Sequence, residues 1–112
     1  MERVGNNQKV LIEVLKDFKP RFQYDDATVT ELVIDPNTHH YQLLRYGWAE
    51  AQKFVHYAIF SLMIKNGKIW LLENRTDTDI VEELMTRGVD RMDIVLGFIP
   101  ENERQYTDFA VA

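Results

Sequence analysis

Phe60-Ser61-Leu62-Met63-Ile64-Lys65-Asn66-Gly67-Lys68-Ile69-Trp70-Leu71-Leu72 decides the fold of this 112-residue chain. Two apolar runs flank Asn66-Gly67, the dipeptide best suited to a two-residue turn that needs positive φ at both positions. The spacing predicts a β-hairpin, and the turn sets its register: Lys65 opposite Lys68, Ile64 opposite Ile69, Met63 opposite Trp70 and Leu62 opposite Leu71. Both faces of this hairpin are largely apolar. One must pack on the helices of the same chain. The other, bearing Ile59, Met63, Trp70 and Leu72, either is covered by the remaining helix or waits for a partner.

Upstream of the hairpin, Thr28–Ile34, His40–Trp48 and Lys53–Lys65 are rich in β-branched and aromatic residues, and Asp35-Pro36-Asn37 stops the first of them. These segments read as three strands. Ahead of them Val10, Leu11, Val14, Leu15 and Phe18 form one stripe on a helix, with Glu13, Lys16 and Asp17 outside it. Asn6 or Asn7 supplies an acceptor for the free donors at its start, and Pro20 predicts an end near Lys19.

Downstream, Thr76-Asp77-Thr78-Asp79 places capping acceptors before Ile80, Val81, Leu84 and Met85, and Gly88 stands at a left-handed C-terminal cap. A second helix over about residues 78–87 follows from this. Ile94-Val95-Leu96-Gly97-Phe98 predicts a short buried strand or extended segment closed by Pro100, and Phe109-Ala110-Val111 a further short strand. The expected fold is α+β: an antiparallel β-meander of four or more strands with two main helices packed on one face, in the order α-β-β-β-β-α-β.

At 13.2 kDa the folded chain exposes roughly 6,400 Å² against about 19,000 Å² unfolded, enough burial for one core. With only three prolines, five glycines and no repeat or linker, a single domain over residues 1–112 is expected. The absence of cysteine excludes disulfides, thiolate metal sites and a cysteine nucleophile. The amino terminus has no apolar signal region, and the longest nearly uncharged run, Phe54–Ile64, is about half the ~20 residues a membrane span needs. A cytoplasmic protein that does not enter membranes is the expectation.

Charge is unevenly placed. Residues 1–72 carry nine Lys/Arg and eight Asp/Glu (net +1), while residues 73–112 carry four and ten (net −6). A chain of net charge −5 lacks the clustered cations that neutralise phosphates, so tight direct binding to nucleic acid is not expected.

No residue pattern argues for catalysis. His39 and His40 are adjacent and point to opposite faces of a strand, and with His56 they make no metal-ligand set. Asp77, Asp79, Glu82 and Glu83 sit where a helix dipole favours acids, with no neighbour to tune them for proton transfer. The five glycines build no phosphate cradle and no serine occupies a nucleophile elbow. No cofactor or metal is therefore expected. Three arginines stand out: Arg45 in a strand, Arg75 before the second helix and Arg104 near the carboxy terminus. Each can pair with local acids, or serve with Tyr46, Trp48 and Tyr106 as a planar, aromatic-flanked interface anchor.

Gly88-Val89, Asp93-Ile94-Val95-Leu96-Gly97-Phe98 and Arg104–Val111, taken with His40–Trp48 and Gly67-Lys68-Ile69-Trp70, resemble the XisI-like family, the excision controlling factors of the fdxN element of cyanobacteria. The resemblance covers about Asp35–Val111. Where the family usually has Gly-Val-Pro after the second helix and Thr-Glu before it, this chain has Gly88-Val89-Asp90 and Thr76-Asp77. Asp90 can start a turn or helix as proline does, so the resemblance implies the same fold with a change at an exposed turn.

The resemblance implies participation, with an XisH-like partner and a site-specific recombinase, in programmed DNA excision. The leading reading is a non-catalytic regulatory factor of DNA recombination acting by protein contact through Arg45, Trp48, Arg75, Asp77, Asp79, Glu82, Glu83, Arg104 and Tyr106. A nuclease or other nucleic-acid-processing subunit is the alternative, and it requires a carboxylate cluster beside a lysine in a cleft. An antitoxin-like neutralising partner is a third reading, differing from the first only in what its partner does. A homo-oligomer stays open.

Overall fold

The computed structural model describes residues 2–112, with side chains from residue 5 onward except at position 51. Helix α1 (Glu2–Arg21) precedes strands β1 (Thr28–Asp35), β2 (His40–Trp48), β3 (Phe54–Lys65) and β4 (Lys68–Asn74). Helix α2 (Ile80–Thr86) and strand β5 (Ile94–Leu96) follow, and a 3₁₀ segment spans Glu101–Tyr106. The strands form one sheet in the order β1-β2-β3-β4-β5. The first four make the expected antiparallel meander, and β5 adds in parallel to β4 after a crossover through α2.

Asn66 and Gly67 both take positive φ, 54° and 77°, and all four expected cross-strand pairs of the hairpin are present. Beyond them the register shifts. The pairing Leu62↔Leu71, Ser61↔Glu73 skips Leu72, and the pairing Leu43↔Phe60, Leu44↔Ala58 skips Ile59. Each is a bulge, which bends the strand and lets successive residues turn to one side. Ile59 consequently joins Phe60 and Leu62 in the main core rather than facing away with Met63.

That core lies between the sheet and the two helices, which share one face: Leu11, Val14, Leu15 and Phe18 of α1, Ile80 and Leu84 of α2, and Tyr41, Leu43, Ile69 and Ile94 of the sheet. Burying a side chain of this size contributes about 1.5–3 kcal/mol. Arg87 ties the helices together at their solvent edge, 2.8 Å from Asp17 and 2.9 Å from Glu83. On the opposite face Trp70, Val95 and Ala110 form a smaller cluster with Met63 and Leu72 against it. The carboxy-terminal segment is what covers Trp70, with an isolated parallel bridge between Val95 and Ala110 and the Arg104 guanidinium 5.1 Å above the Trp70 ring. Among the described residues neither α1 nor α2 contributes a side chain to this cluster.

Both helices differ from the expectation in their boundaries. Helix α1 starts at Glu2, so Asn6 and Asn7 lie inside it rather than capping it, and Asn7 is buried. Pro20 does not end the helix, because in the last turn only one hydrogen bond is lost at proline. Continuation carries Phe22 into the core, with its N–H donating to the Phe18 carbonyl at 3.1 Å. Helix α2 is shorter than expected: Asp79 caps it, accepting from the Glu82 N–H. Gly88, at φ 100°, closes it with the paired bonds Gly88 N–H to Met85 and Val89 N–H to Leu84.

Candidate functional site: an acidic-rimmed groove beside the sheet edge

Strand β5 pairs with β4 only over Ile69–Leu71, so Leu72, Glu73 and Asn74 run past its end. The chain then leaves the sheet through a tight loop. Asn74 accepts from the Thr76 N–H and hydroxyl, both at 2.8 Å, and donates to the Thr78 carbonyl at 2.8 Å. This loop turns the chain into α2 and leaves a groove of about 640 Å³ between the β4 end, α2 and the chain after β5. Leu71, Leu72, Val81, Leu96, Phe98 and Phe109 give it an apolar floor, and Glu73, Asp77 and Asp79 stand around it. Phe98 is 59% exposed at its mouth.

The three carboxylates are not equivalent. Glu73 pairs with the Arg75 guanidinium, and Asp79 is engaged in capping α2. Asp77 makes no hydrogen bond or ion pair among the described residues, which leaves its charge to act outward. On the adjoining helix Glu82 is exposed, whereas Glu83 is held by Arg87. The hydrogen bonds from Arg87 to Asp17 and Glu83 hold its guanidinium above its ordinary range.

The arginines and aromatics singled out in the sequence are dispersed. Arg45 is half-buried on the helix face, donating to Tyr57 Oη at 3.0 Å, Thr28 Oγ1 at 3.1 Å and Asp25 Oδ2 at 3.2 Å. Its pKa is raised, first by the Tyr57 hydrogen bond and further by the charges around it, against the opposing cost of burial. Arg75 stacks 5.2 Å from the centre of the same Tyr57 ring. Tyr24, beneath Arg45, titrates above its ordinary value because burial disfavours its anion. Arg104 donates to the Ile99 and Val111 carbonyls and lies over Trp70, clamping the carboxy-terminal segment. Trp48 is 62% exposed and packs edge-on against Phe54 at the far end of β2, while Tyr106 is 83% exposed on the 3₁₀ segment. Arg45 and Arg75 thus meet at Tyr57, Asp77 and Asp79 line the groove, Glu83 is turned to Arg87, and Trp48 lies at the far end of β2.

Asp77 and Asp79 are visible in the sequence as acids ahead of a helix, but the groove is not. Its floor depends on the skipped Leu72 and the three-residue length of β5, neither of which leaves a periodic signal. Phe98 at the end of an apolar run was the available pointer. Among the described residues no group of three or more His, Asp or Glu is placed to hold a metal ion, and no helix is long and apolar enough to cross a membrane.

The XisI protein family matches residues 1–111. A crystal structure of a XisI-like protein from Anabaena variabilis ATCC 29413 is 35% identical, covers 97% of this chain and 99% of its own, and superposes with a TM-score of 0.90. The crystal structure of the fdxN element excision controlling factor XisI from Anabaena variabilis ATCC 29413 is 32% identical over 98% of this chain and 99% of its own, with a TM-score of 0.81. Among curated proteins no match was found. On these grounds, and with the same order of helices and strands, the chain belongs to the XisI family.

Proposed function

We propose that this chain is an accessory factor in the excision of a DNA element, acting in the cytoplasm as a single domain through contact with another protein and without catalysis of its own. The observation that carries the reading is the groove, where an apolar floor lies beside an uncompensated carboxylate, Asp77. Such a surface suits a protein partner with apolar and cationic residues and repels phosphate. The name of the 32%-identical relative, an excision controlling factor, supplies the process. An XisH-like protein is the partner, and a site-specific recombinase is the enzyme whose action it adjusts. A nuclease reading asks for a lysine beside the acids, whereas the groove lining holds Glu73, Asp77 and Asp79 with no lysine.

Affinity purification of the tagged chain from its native cells tests the reading. Recovery of an XisH-like protein in stoichiometric amount, resistant to nuclease treatment, is the expected result. Recovery of DNA alone, lost on nuclease treatment, would overturn it.

A further inference from the structure

Resting on that reading, we infer that the groove between the end of β4, α2 and Phe98 receives a short segment of the partner in which apolar and basic side chains alternate. The shape argues for a segment rather than a flat contact, since about 640 Å³ exceeds what one side chain fills and lies in the range of sites that enclose a whole ligand. Leu72, Leu96 and Phe109 line the groove half-buried above the buried Leu71 and Val81, an apolar surface that gains from displacing water with apolar groups.

Charge identifies the other half of the occupant. The segment's cations would meet Asp77, which no group among the described residues neutralises, and Glu82 on the outward side of α2. Arg75 does not cancel this field at the groove, because its guanidinium is engaged by Glu73 and stacked on Tyr57. An acidic segment would face repulsion here, and an uncharged one would leave Asp77 unused. Lysine and arginine also lay their aliphatic stems along apolar surface while keeping the charge at the rim, which matches a groove with an apolar floor and acidic edge.

The test uses the full chain, labelled with ¹⁵N, and three synthetic decapeptides: alternating Leu and Lys, alternating Leu and Glu, and alternating Ser and Lys. The Leu-Lys peptide should shift the amide signals of Leu72, Asp77, Val81 and Phe98, and the other two should leave them unmoved. Phe98→Ser should weaken that binding by at least about tenfold, as loss of an interface anchor does. Asp77→Asn should weaken it by about threefold, and Trp48→Ser, at the far end of the sheet, should leave it unchanged. Unchanged melting temperatures in these exposed-site variants separate loss of binding from loss of fold. No shift with the Leu-Lys peptide, or equal shifts with the Ser-Lys peptide, overturns the groove assignment. Partner capture that survives Phe98→Ser would overturn it too while leaving the protein-contact function intact, whereas peptide binding without any XisH-like partner would leave the groove and remove the proposed function.

Discussion

Asn7, one turn into the first helix, donates its side-chain amide to the carboxylate of Asp93, 86 residues further along, at 3.1 Å. Both residues are buried. The bond fastens α1 to the entry of β5, joining elements far apart in the sequence. Asn7→Ala removes one donor from a buried carboxylate, and the expected cost is about 1–3 kcal/mol. A melting curve checks this, because each kcal/mol lowers the midpoint by about 4 °C in a domain of this size. A midpoint within about 1 °C of the parent would tell against the bond.

The Asn66-Gly67 turn gives a second stability test. Gly67 sits at φ 77°, where a β-branched residue is strained. Gly67→Val should cost about 1–3 kcal/mol without altering the Met63–Trp70 pairing, measured by chemical denaturation.

These two sites mark how far the sequence could be read. Asn66-Gly67 is a local signal: two residues set the turn, the turn sets the register, and four strand pairs follow. Asn7 reads as a cap because asparagine is common there, and nothing local reveals a partner 86 residues away. Pro20 is a local stop signal that tertiary packing overrides, since burial of Phe22 outweighs a single lost hydrogen bond. The bulges at Ile59 and Leu72 are products of fitting strands to a twisted sheet, and with them went the assignment of Ile59 to the outer face and any sight of the groove. Asp77 and Asp79 were visible as acids before a helix, but only the structure separates the capping one from the free one.

Gly97 provides a third test, this time of packing. Its backbone is not in the left-handed region, yet a Cβ there would lie 3.1 Å from Leu72 Cδ2, 3.2 Å from the Leu71 carbonyl oxygen and 3.3 Å from Trp70 Cε3. The carbonyl is fixed because the Gly97 N–H donates to it at 2.8 Å. Gly97→Ala should therefore cost about 1–3 kcal/mol, the usual penalty of overpacking. The accompanying change in Trp70 fluorescence would show that strain enters through the smaller cluster.

Asp25 predicts a dependence on pH. Its carboxylate accepts from the Thr28 hydroxyl and N–H, both at 2.7 Å, and from the Ala27 N–H at 3.0 Å, while Arg45 lies 3.2 Å away. These contacts, the Thr28 hydroxyl foremost, hold its pKa below the ordinary carboxylate value. A group depressed on folding contributes stability above its unfolded pKa and loses that contribution as pH falls through the folded value. Asp25→Asn should be less stable than the parent near neutrality, and the gap should close below about pH 4. Thermal midpoints measured across that range check the sign, and a gap that widens on acidification would refute it.

The acidic surface finally makes a prediction about partners that discriminates among its own carboxylates. Neutralising all of Asp77, Asp79, Glu82 and Glu83 would remove the α2 cap at Asp79 and the Arg87 partner at Glu83, so the fold would suffer along with the charge. Asp77→Asn with Glu82→Gln alters two exposed carboxylates outside those roles. Steering by charge acts mainly on the rate of encounter and is screened by salt. The double variant should bind an XisH-like partner with an association rate about three- to tenfold lower at low ionic strength, with a shallower salt dependence and an unchanged melting temperature. The same charges oppose duplex DNA: with net charge −5, affinity at 0.15 M salt should be no tighter than about 10⁻⁴ M, the weak end of nonspecific binding. A gel-shift titration showing submicromolar binding by the isolated chain would end the protein-contact reading and favour a nucleic-acid-processing subunit in its place.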